Sequence, residues 1–537
     1  MHIVTVAEMR ELEAQADHQY GLTSPILMNN AGKSAADIFE HHLAPHHSMS
    51  RLEILFLIGP GNNGGDGMVM AKHLERSGAI VHHYHWKEHK LIANGQEISP
   101  ADTETGLEAL IQSADYIIDA LLGTGRSRPL PEDMRRLFAR VRREREQRAG
   151  LRVVAIDLPT GLNADTGEVD QGTIPADMTI TLAFPKQGFF FFPGRDYIDD
   201  LYIGDIGLPA DLEQHLQTEM ITGKQVHTLL PDRPLNSNKG TFGKVMLFCG
   251  SPPYPGSAYL AGVAAARVGG GLITLAVTEK MLPIYASSFH EATFVLLPAE
   301  ETASFERAQA LINHLQGYRT LLIGPGLGQS PNTREVILQV LEYLRSQSED
   351  KRPQLVVDAD GLNNLSALEH WWTLLPRDTV ITPHPGEMGR LSHLQQPQSG
   401  LSAAASDQQL LPEIKVSGGS IDRLDLARQK ADEWQVNLVL KGACTIVTEP
   451  QGHTRINWRS NPLLATAGTG DVLAGMIAGL LAQGMQPFDA ASAAVYLHTA
   501  AADLVAQKMD LGRTGLLASD LLSEIPIAMT HSEHAEI

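Results

Sequence analysis

Apolar residues recur at helical spacing over residues 5–20, with Met9, Leu12 and Ala16 on one face, and again over 25–39. Asn29 and Asn30 interrupt that second stripe, as a helix-start cap or as ligands. A wholly apolar run over 52–59 reads as a buried strand. It leads into the glycine-rich loop 60–67 and then an amphipathic helix from Met68. Strand, glycine loop and helix make the start of a Rossmann-like unit. Strands over 116–118 and 153–156 repeat the strand-to-loop pattern, and a strand spanning 179–196 closes the first half. Residues 210–235 are polar and irregular, which predicts a linker. Beyond it, strands and helices alternate again. Strand 244–251 precedes a small-residue helix and strand over 252–277, and strands with glycine turns or strand-to-helix junctions follow over 320–328, 353–365 and 378–391. The segment 395–420 is a polar surface insertion, and 436–450 reads as a β-hairpin with Lys441 and Gly442 at its turn. The expected architecture is α/β: a Rossmann-like three-layer domain over 1–222 and a second α/β domain over 223–537.

A chain of 537 residues exceeds one hydrophobic core, which agrees with two domains. Its formal net charge of −20 argues against non-specific nucleic-acid binding. Cys249 and Cys444 are the two cysteines, so no disulfide framework is expected. The N-terminus lacks a signal-peptide pattern, and no apolar run reaches the roughly 18 residues of a membrane helix. A cytoplasmic homo-oligomer without membrane or nucleic-acid partners is expected.

The candidate chemistry lies at the strand ends. In the first half, Asn62, Asn63, Gly64, Gly65 and Asp66 follow the 52–59 strand, and their amide and carboxyl oxygens suit a cation or ribose hydroxyls. Asp119 precedes Gly123, Thr124, Gly125 and Arg126, an anion-cradling turn with a guanidinium. Asp157 and Thr160 sit at the carboxyl end of the 153–156 strand, where open α/β sheets collect their sites. His82, His83, His85 and His89 read as an exposed strand end without metal. The pairs at 41–42 and 46–47 read as loop, and the arginines of 135–148 as a solvated helix face.

The motifs GNNGGDG, DALLGTG and Asp157-Leu158-Pro159-Thr160-Gly161 resemble the N-terminal domain of the YjeF family, the NAD(P)H-hydrate epimerases, over roughly residues 1–220. The resemblance implies that Asn63, Asp119 and Thr160 hold potassium. It also implies that the two glycine loops hold the hydrated nucleotide and that Asp157 is the acid/base.

In the second half, the stretch over 461–480 places Gly468, Thr469 and Gly470 at a helix start, with free backbone amides suited to phosphate. Asp471 follows in the first turn. A carboxylate there repels phosphate, so it fits the role of base for a hydroxyl lying beside one. The set GTFGKV, YPG, GPGLG, DADGLN, TPHPGE, LKGACT and GTGDVLAG resembles the ADP-dependent NAD(P)H-hydrate dehydratases, ribokinase-like in fold, over roughly 225–530. That resemblance implies that Ser257, Gly326, His384 and Asp471 face the substrate. Lys441, Gly442, Ala443, Cys444, Thr445 and Gly470 then face ADP, with Mg²⁺ bridging its phosphates. Ser257 stands where the family carries alanine. Together the halves imply repair of NADHX and NADPHX, the C6 hydrates: epimerisation, then ADP-dependent dehydration releasing AMP and phosphate. The competing reading is a ribokinase-like small-molecule kinase with a nucleotide-binding, non-catalytic N-terminal module.

Overall fold

The computed structural model describes residues 1–43, 49–125, 129–393, 414–416 and 419–532. The chain forms two compact units, Met1–Thr218 and Glu219–Ile537.

In the first unit, β1 (Glu53–Ile58), β2 (Ile80–His85), β3 (Lys90–Ala93), β4 (Gln96–Glu97), β5 (Tyr116–Ala120), β6 (Arg152–Ile156), β7 (Ala176–Leu182) and β8 (Ile198–Gly204) build an eight-stranded sheet. Its order is β4-β3-β2-β1-β5-β6-β7-β8. The run from β2 to β8 is parallel, and β3 and β4 add antiparallel at one edge. Alternation along β1 makes three layers. Ile54, Phe56 and Ile58 face helices Val6–Tyr20, Ser24–Leu43 and Asn62–Arg76, while Leu55 and Leu57 face helices Thr103–Ser113 and Glu132–Gln147. The first helix starts on a capping box: Thr5 Oγ1 accepts from Glu8 N, and Glu8 Oε2 accepts from Thr5 N.

Several expectations change here. The loop after β1 is shorter than read, because the helix starts at Asn62 and includes Gly64, Gly65, Asp66 and Gly67. Glycines weaken a helix, but close approach requires them. A Cβ on Gly64 would strike the Gly59 carbonyl, and one on Gly67 would lie 2.6 Å from Ala120 Cβ. His82 and His83 are not at an exposed strand end. They are buried inside β2, with His82 Nε2 3.2 Å from Glu53 and His83 Nε2 3.6 Å from Glu75. His41 and His42 belong to the last turn of helix Ser24–Leu43 rather than a loop; His46 and His47 lie outside the described residues. Asn29 and Asn30 sit inside that helix, not at its start, and Asn30 Nδ2 donates to Ile206 O at 3.0 Å. The strand read over 179–196 ends at Leu182. Short 3-10 turns follow, and β8 forms an edge the sequence pattern did not show. Exposed Asp199 and Asp200 fall together in β8 and hide its period. The arginine-rich helix is tied down by ion pairs, Arg140 to Glu104 and Glu108 and Arg145 to Asp177.

The second sheet comprises β9 (Thr218–Met220), β10 (Lys244–Phe248), β11 (Leu272–Thr278), β12 (Thr293–Leu297), β13 (Thr320–Ile323), β14 (Gln354–Val357), β15 (Val380–Ile381), β18 (Asn437–Leu440), β19 (Ile446–Thr448) and β20 (Thr454–Ile456), with β16 (Ile414–Val416) and β17 (Gly419–Ile421) forming a separate hairpin. The order is β12-β11-β10-β13-β14-β15-β18-β19-β20-β9. It is parallel from β12 to β18 and antiparallel through β19 and β20. The stretch read as an irregular linker holds β9 and helix Gly223–Leu229, each too short to show a hydrophobic period. Helices Pro255–Arg267, Thr469–Ala482, Pro487–Met509 and Ala518–His531 cover one face. Small residues set their spacing: a Cβ on Gly475 would strike the Ala261 carbonyl. Most of the 395–420 insertion lies outside the described residues. Among the described residues no helix is long and apolar enough to cross a membrane.

Candidate active sites

The first site forms where the carboxyl ends of β1, β5 and β6 meet. Asp119 is buried at the end of β5 and accepts hydrogen bonds from Thr160 N at 2.8 Å and Thr160 Oγ1 at 2.7 Å. Burial pushes its carboxyl up to about 6 against those bonds. Thr160 Oγ1 also accepts from Leu122 N at 3.0 Å. Asn63 is buried, and neither polar atom of its side chain has a hydrogen-bond partner among the described residues. An orphaned buried amide at the start of helix Asn62–Arg76, with a desolvated carboxylate and a hydroxyl paired at the strand ends, offers oxygens of the kind that suit a monovalent cation. Among the described residues no cluster of three or more His, Cys, Asp or Glu gathers as a metal site. Gly123 lies between the elements: a Cβ there would sit 3.3 Å from both Asn63 Cβ and Asp157 Oδ2. Thr124 and Gly125 continue that turn, partly and fully exposed, and Asn62 is exposed at the helix start. Gly65 faces Met28, 2.5 Å from its Sδ to a built Cβ. Arg126 lies outside the described residues.

Asp157 adopts a left-handed backbone, φ +65°. Its Oδ1 meets Lys186 Nζ at 2.5 Å. Lys186 is 1% exposed and was missed in the sequence, where it falls inside the segment read as a strand over 179–196. Two further carboxyls join this field. Burial first, then the charges of Asp157 and Glu13, push Asp66 up to about 8. Desolvation of its carboxyl and the charge of Asp157 raise Glu13, although the residue as a whole is exposed. Glu13 comes from the first helix, which carried no site signal in the sequence.

The second site lies at the carboxyl ends of β10, β13, β14, β15 and β18. Helix Thr469–Ala482 begins at Gly468, whose φ of +90° turns the chain so that the next amides open the helix. Asp471 stands in its first turn. Burial and then the charge of Asp358 push it up to about 6, opposed by a hydrogen bond from the Ser257 hydroxyl and by the charge of Lys441. Ser257 therefore has a partner that alanine would lack. Gly326, at φ +65°, packs against it: a Cβ would fall 2.8 Å from Ser257 Oγ and 2.8 Å from Tyr254 Cβ.

Lys441 bonds Asp358 Oδ1 at 2.8 Å and lies 3.9 Å from Glu387 Oε2. Burial works against its charge, but Asp358 and Glu387 outweigh that and raise it. Asp358 also accepts from Thr382 Oγ1 at 2.7 Å. Gly470 leaves room here, with Lys441 Nζ 3.4 Å from a built Cβ. Glu387 is buried and pushed up to about 7 by desolvation, with the Lys441 charge opposing. His384 caps helix Pro385–Leu391, and its Nε2 is 3.5 Å from Glu387 Oε1.

In the β18–β19 turn, Gly442 and Ala443 are exposed, Thr445 Oγ1 donates to Gly442 O at 2.9 Å, and Cys444 turns its thiol inward. Arg423, missed in the sequence, holds the turn through Ala443 O at 3.1 Å and Lys441 O at 3.4 Å. His498 was also missed. It is buried with an unpartnered Nε2 and is driven to about 4 by desolvation. Its signal was hidden inside an alanine-rich apolar helix. The structure thus brings Ser257, Gly326, Asp471, Gly470 and Lys441 into one site.

Residues 24–188 match the family model described as YjeF-related protein N-terminus, and 245–527 match the one described as NAD(P)H-hydrate dehydratase. The bifunctional NAD(P)H-hydrate repair enzyme of Moorella thermoacetica is 35% identical, over 99% of this chain and 97% of its own. That of Thermofilum pendens is 31% identical, over 98% and 96%. A crystal structure of the ADP/ATP-dependent NAD(P)H-hydrate dehydratase from Bacillus subtilis, with ATP and Mg²⁺, is 28% identical with a TM-score of 0.44 and covers 59% of this chain and 99% of that one. On full-length similarity above 30%, this chain belongs to the bifunctional NAD(P)H-hydrate repair enzymes.

Proposed function

We propose that the chain repairs both epimers of the C6 hydrates of NADH and NADPH, with an epimerase over 1–222 and an ADP-dependent, ribokinase-like dehydratase over 223–537. The observation that carries this reading is Asp471, in the first turn of helix Thr469–Ala482, bonded by Ser257 and within the field of Lys441 and Asp358. In dehydration, Asp471 takes the proton of the C6 hydroxyl, and the freed oxygen attacks the terminal phosphorus of ADP, releasing AMP. Amides of Gly468 and Gly470 stabilise the phosphoryl charge, while the Thr469 amide, read in the sequence as free, donates to Thr466 O at 3.3 Å. The ring nitrogen then expels phosphate, loss of the C5 proton restores the dihydropyridine, and the departing phosphate accepts that proton. Lys441 and the turn through Gly442, Ala443, Cys444 and Thr445 bind ADP; Gly326 and His384 bind the substrate. Mg²⁺ bound with ADP would screen the nucleotide phosphates.

In the first unit, Asn62, Asn63, Gly64, Gly65, Asp66, Gly123, Thr124, Gly125 and Arg126 bind the hydrated nucleotide. Asn63, Asp119 and Thr160 would hold K⁺, whose charge would order the glycine loops. Asp157 carries the proton from the C6 oxygen to the ring nitrogen as the C6–N bond opens to an aldehyde, then returns it on closure from the other face. We place the enzyme in the cytoplasm as a homo-oligomer. Absorbance at 340 nm on a mixed-epimer substrate with Mg²⁺ and ADP or ATP tests the whole reading. Full recovery with ADP supports it. A halt after the S epimer removes the epimerase, and no recovery with either nucleotide overturns the dehydratase in favour of the kinase.

A further inference from the structure

Resting on the epimerase reading of the first unit, we propose that Lys186 is the positioning residue of that site, clamping one oxygen of Asp157 so that the other faces the glycine loop. The ammonium offers three donors. They go to Asp157 Oδ1 at 2.5 Å, Leu182 O at 2.9 Å and Thr181 Oγ1 at 3.0 Å. None remains for a substrate, so Lys186 acts through Asp157.

The two oxygens of Asp157 are inequivalent. Oδ1 takes the ammonium and the Leu182 amide at 3.4 Å. Oδ2 takes no hydrogen bond from the described residues and lies 3.3 Å from where a Cβ on Gly123 would be. A side chain on that turn would fill the space Oδ2 looks into. The backbone of Asp157 is left-handed, a conformation that persists only where its surroundings over-determine it. The clamp supplies part of that determination, together with the Asp157 N to Ile180 O bond at 2.8 Å. An ammonium this deeply buried is costly without its partner. Glu13 and Asp66, from two helices packed on this face, are the other charged groups acting on the pair.

The test uses the full-length chain, in which dehydration of S epimer serves as an internal control. Lys186→Met is expected to lower kcat for epimerisation on the order of 100-fold, the scale of a misplaced reacting group. KM for the R epimer and the rate of S-epimer dehydration should hold. Lys186→Ala is expected to regain part of its kcat with millimolar methylamine or ethylamine, and this arm carries the test if Lys186→Met lowers the melting transition of its unit. A kcat within about twofold of the parent, a loss confined to KM, or no amine rescue overturns the proposal. A parent chain that does not epimerise at all overturns the epimerase reading itself, and the proposal with it.

Discussion

The proposed dehydration rests on Asp471. Asp471→Asn should cut dehydration by on the order of 10²–10⁴-fold and leave epimerisation intact, read as conversion of R to S epimer without recovery at 340 nm. With its carboxyl raised to about 6, the base is lost as pH falls through that value, so dehydration should decline below about 6 and level off above it. The Ser257 bond opposes the raised value, so Ser257→Ala should move that acid limb to higher pH. Gly326→Ala meets a left-handed φ and crowds Ser257 and Tyr254. It should raise KM for the hydrated nucleotide more than it lowers melting temperature. At this scale the sequence located residues whose motif lies at a strand or helix end, and the structure places Asp471, Asn63 and Asp157 at such ends with buried or desolvated side chains. It was not legible at Lys186, Glu13 or His498, whose roles come from neighbours distant in the chain.

Among elements, the packing of helix Thr469–Ala482 on helix Pro255–Arg267 decides how the phosphate-binding amides are placed. Gly475 and Gly479 let the two backbones approach, and a larger side chain must push them apart. Gly475→Val should therefore cost about 1–3 kcal/mol of stability by overpacking and slow dehydration, measured by denaturant unfolding and by S-epimer turnover. The small residues of AGMIAGLL, Ala474 to Leu481, recur at helical spacing on the face that meets helix Pro255–Arg267 and permit this closeness. The start of helix Asn62–Arg76 was misplaced for the converse reason. Glycines read as loop when the backbone they must approach, here Gly59, is unseen. Strand β8 was missed because two adjacent aspartates, Asp199 and Asp200, break its alternation, and its place at the sheet edge tolerates that.

For the whole molecule, two sites on two compact units predict separable activities. A mixture of full-length Asp471→Asn and Asp157→Asn chains should repair both epimers, since the R-to-S product of the first chain is substrate for the second. Failure of the mixture would show that the epimers do not exchange through solution. Acid stability follows from buried neutral histidines. His82 and His83 are lowered by burial, and His498 is lowered to about 4. The unfolded chain binds these protons first, so stability should fall as pH drops below about 6.5; at His498 the Lys441 charge adds to the effect of burial and a backbone hydrogen bond with Thr469 opposes it. His498→Gln should flatten the melting-temperature profile between about 6.5 and 4. The alternation of strands and helices, the glycine turns at strand ends and the carboxylates placed beside them were determined by sequence alone, because each is a local pattern with a local physical cause. Tertiary structure alone decided which oxygen of Asp157 is free, which hydroxyl supports Asp471 and which buried cation meets which carboxylate. Those depend on residues brought together from separate strands, and on desolvation that exists only once the sheets have closed over them.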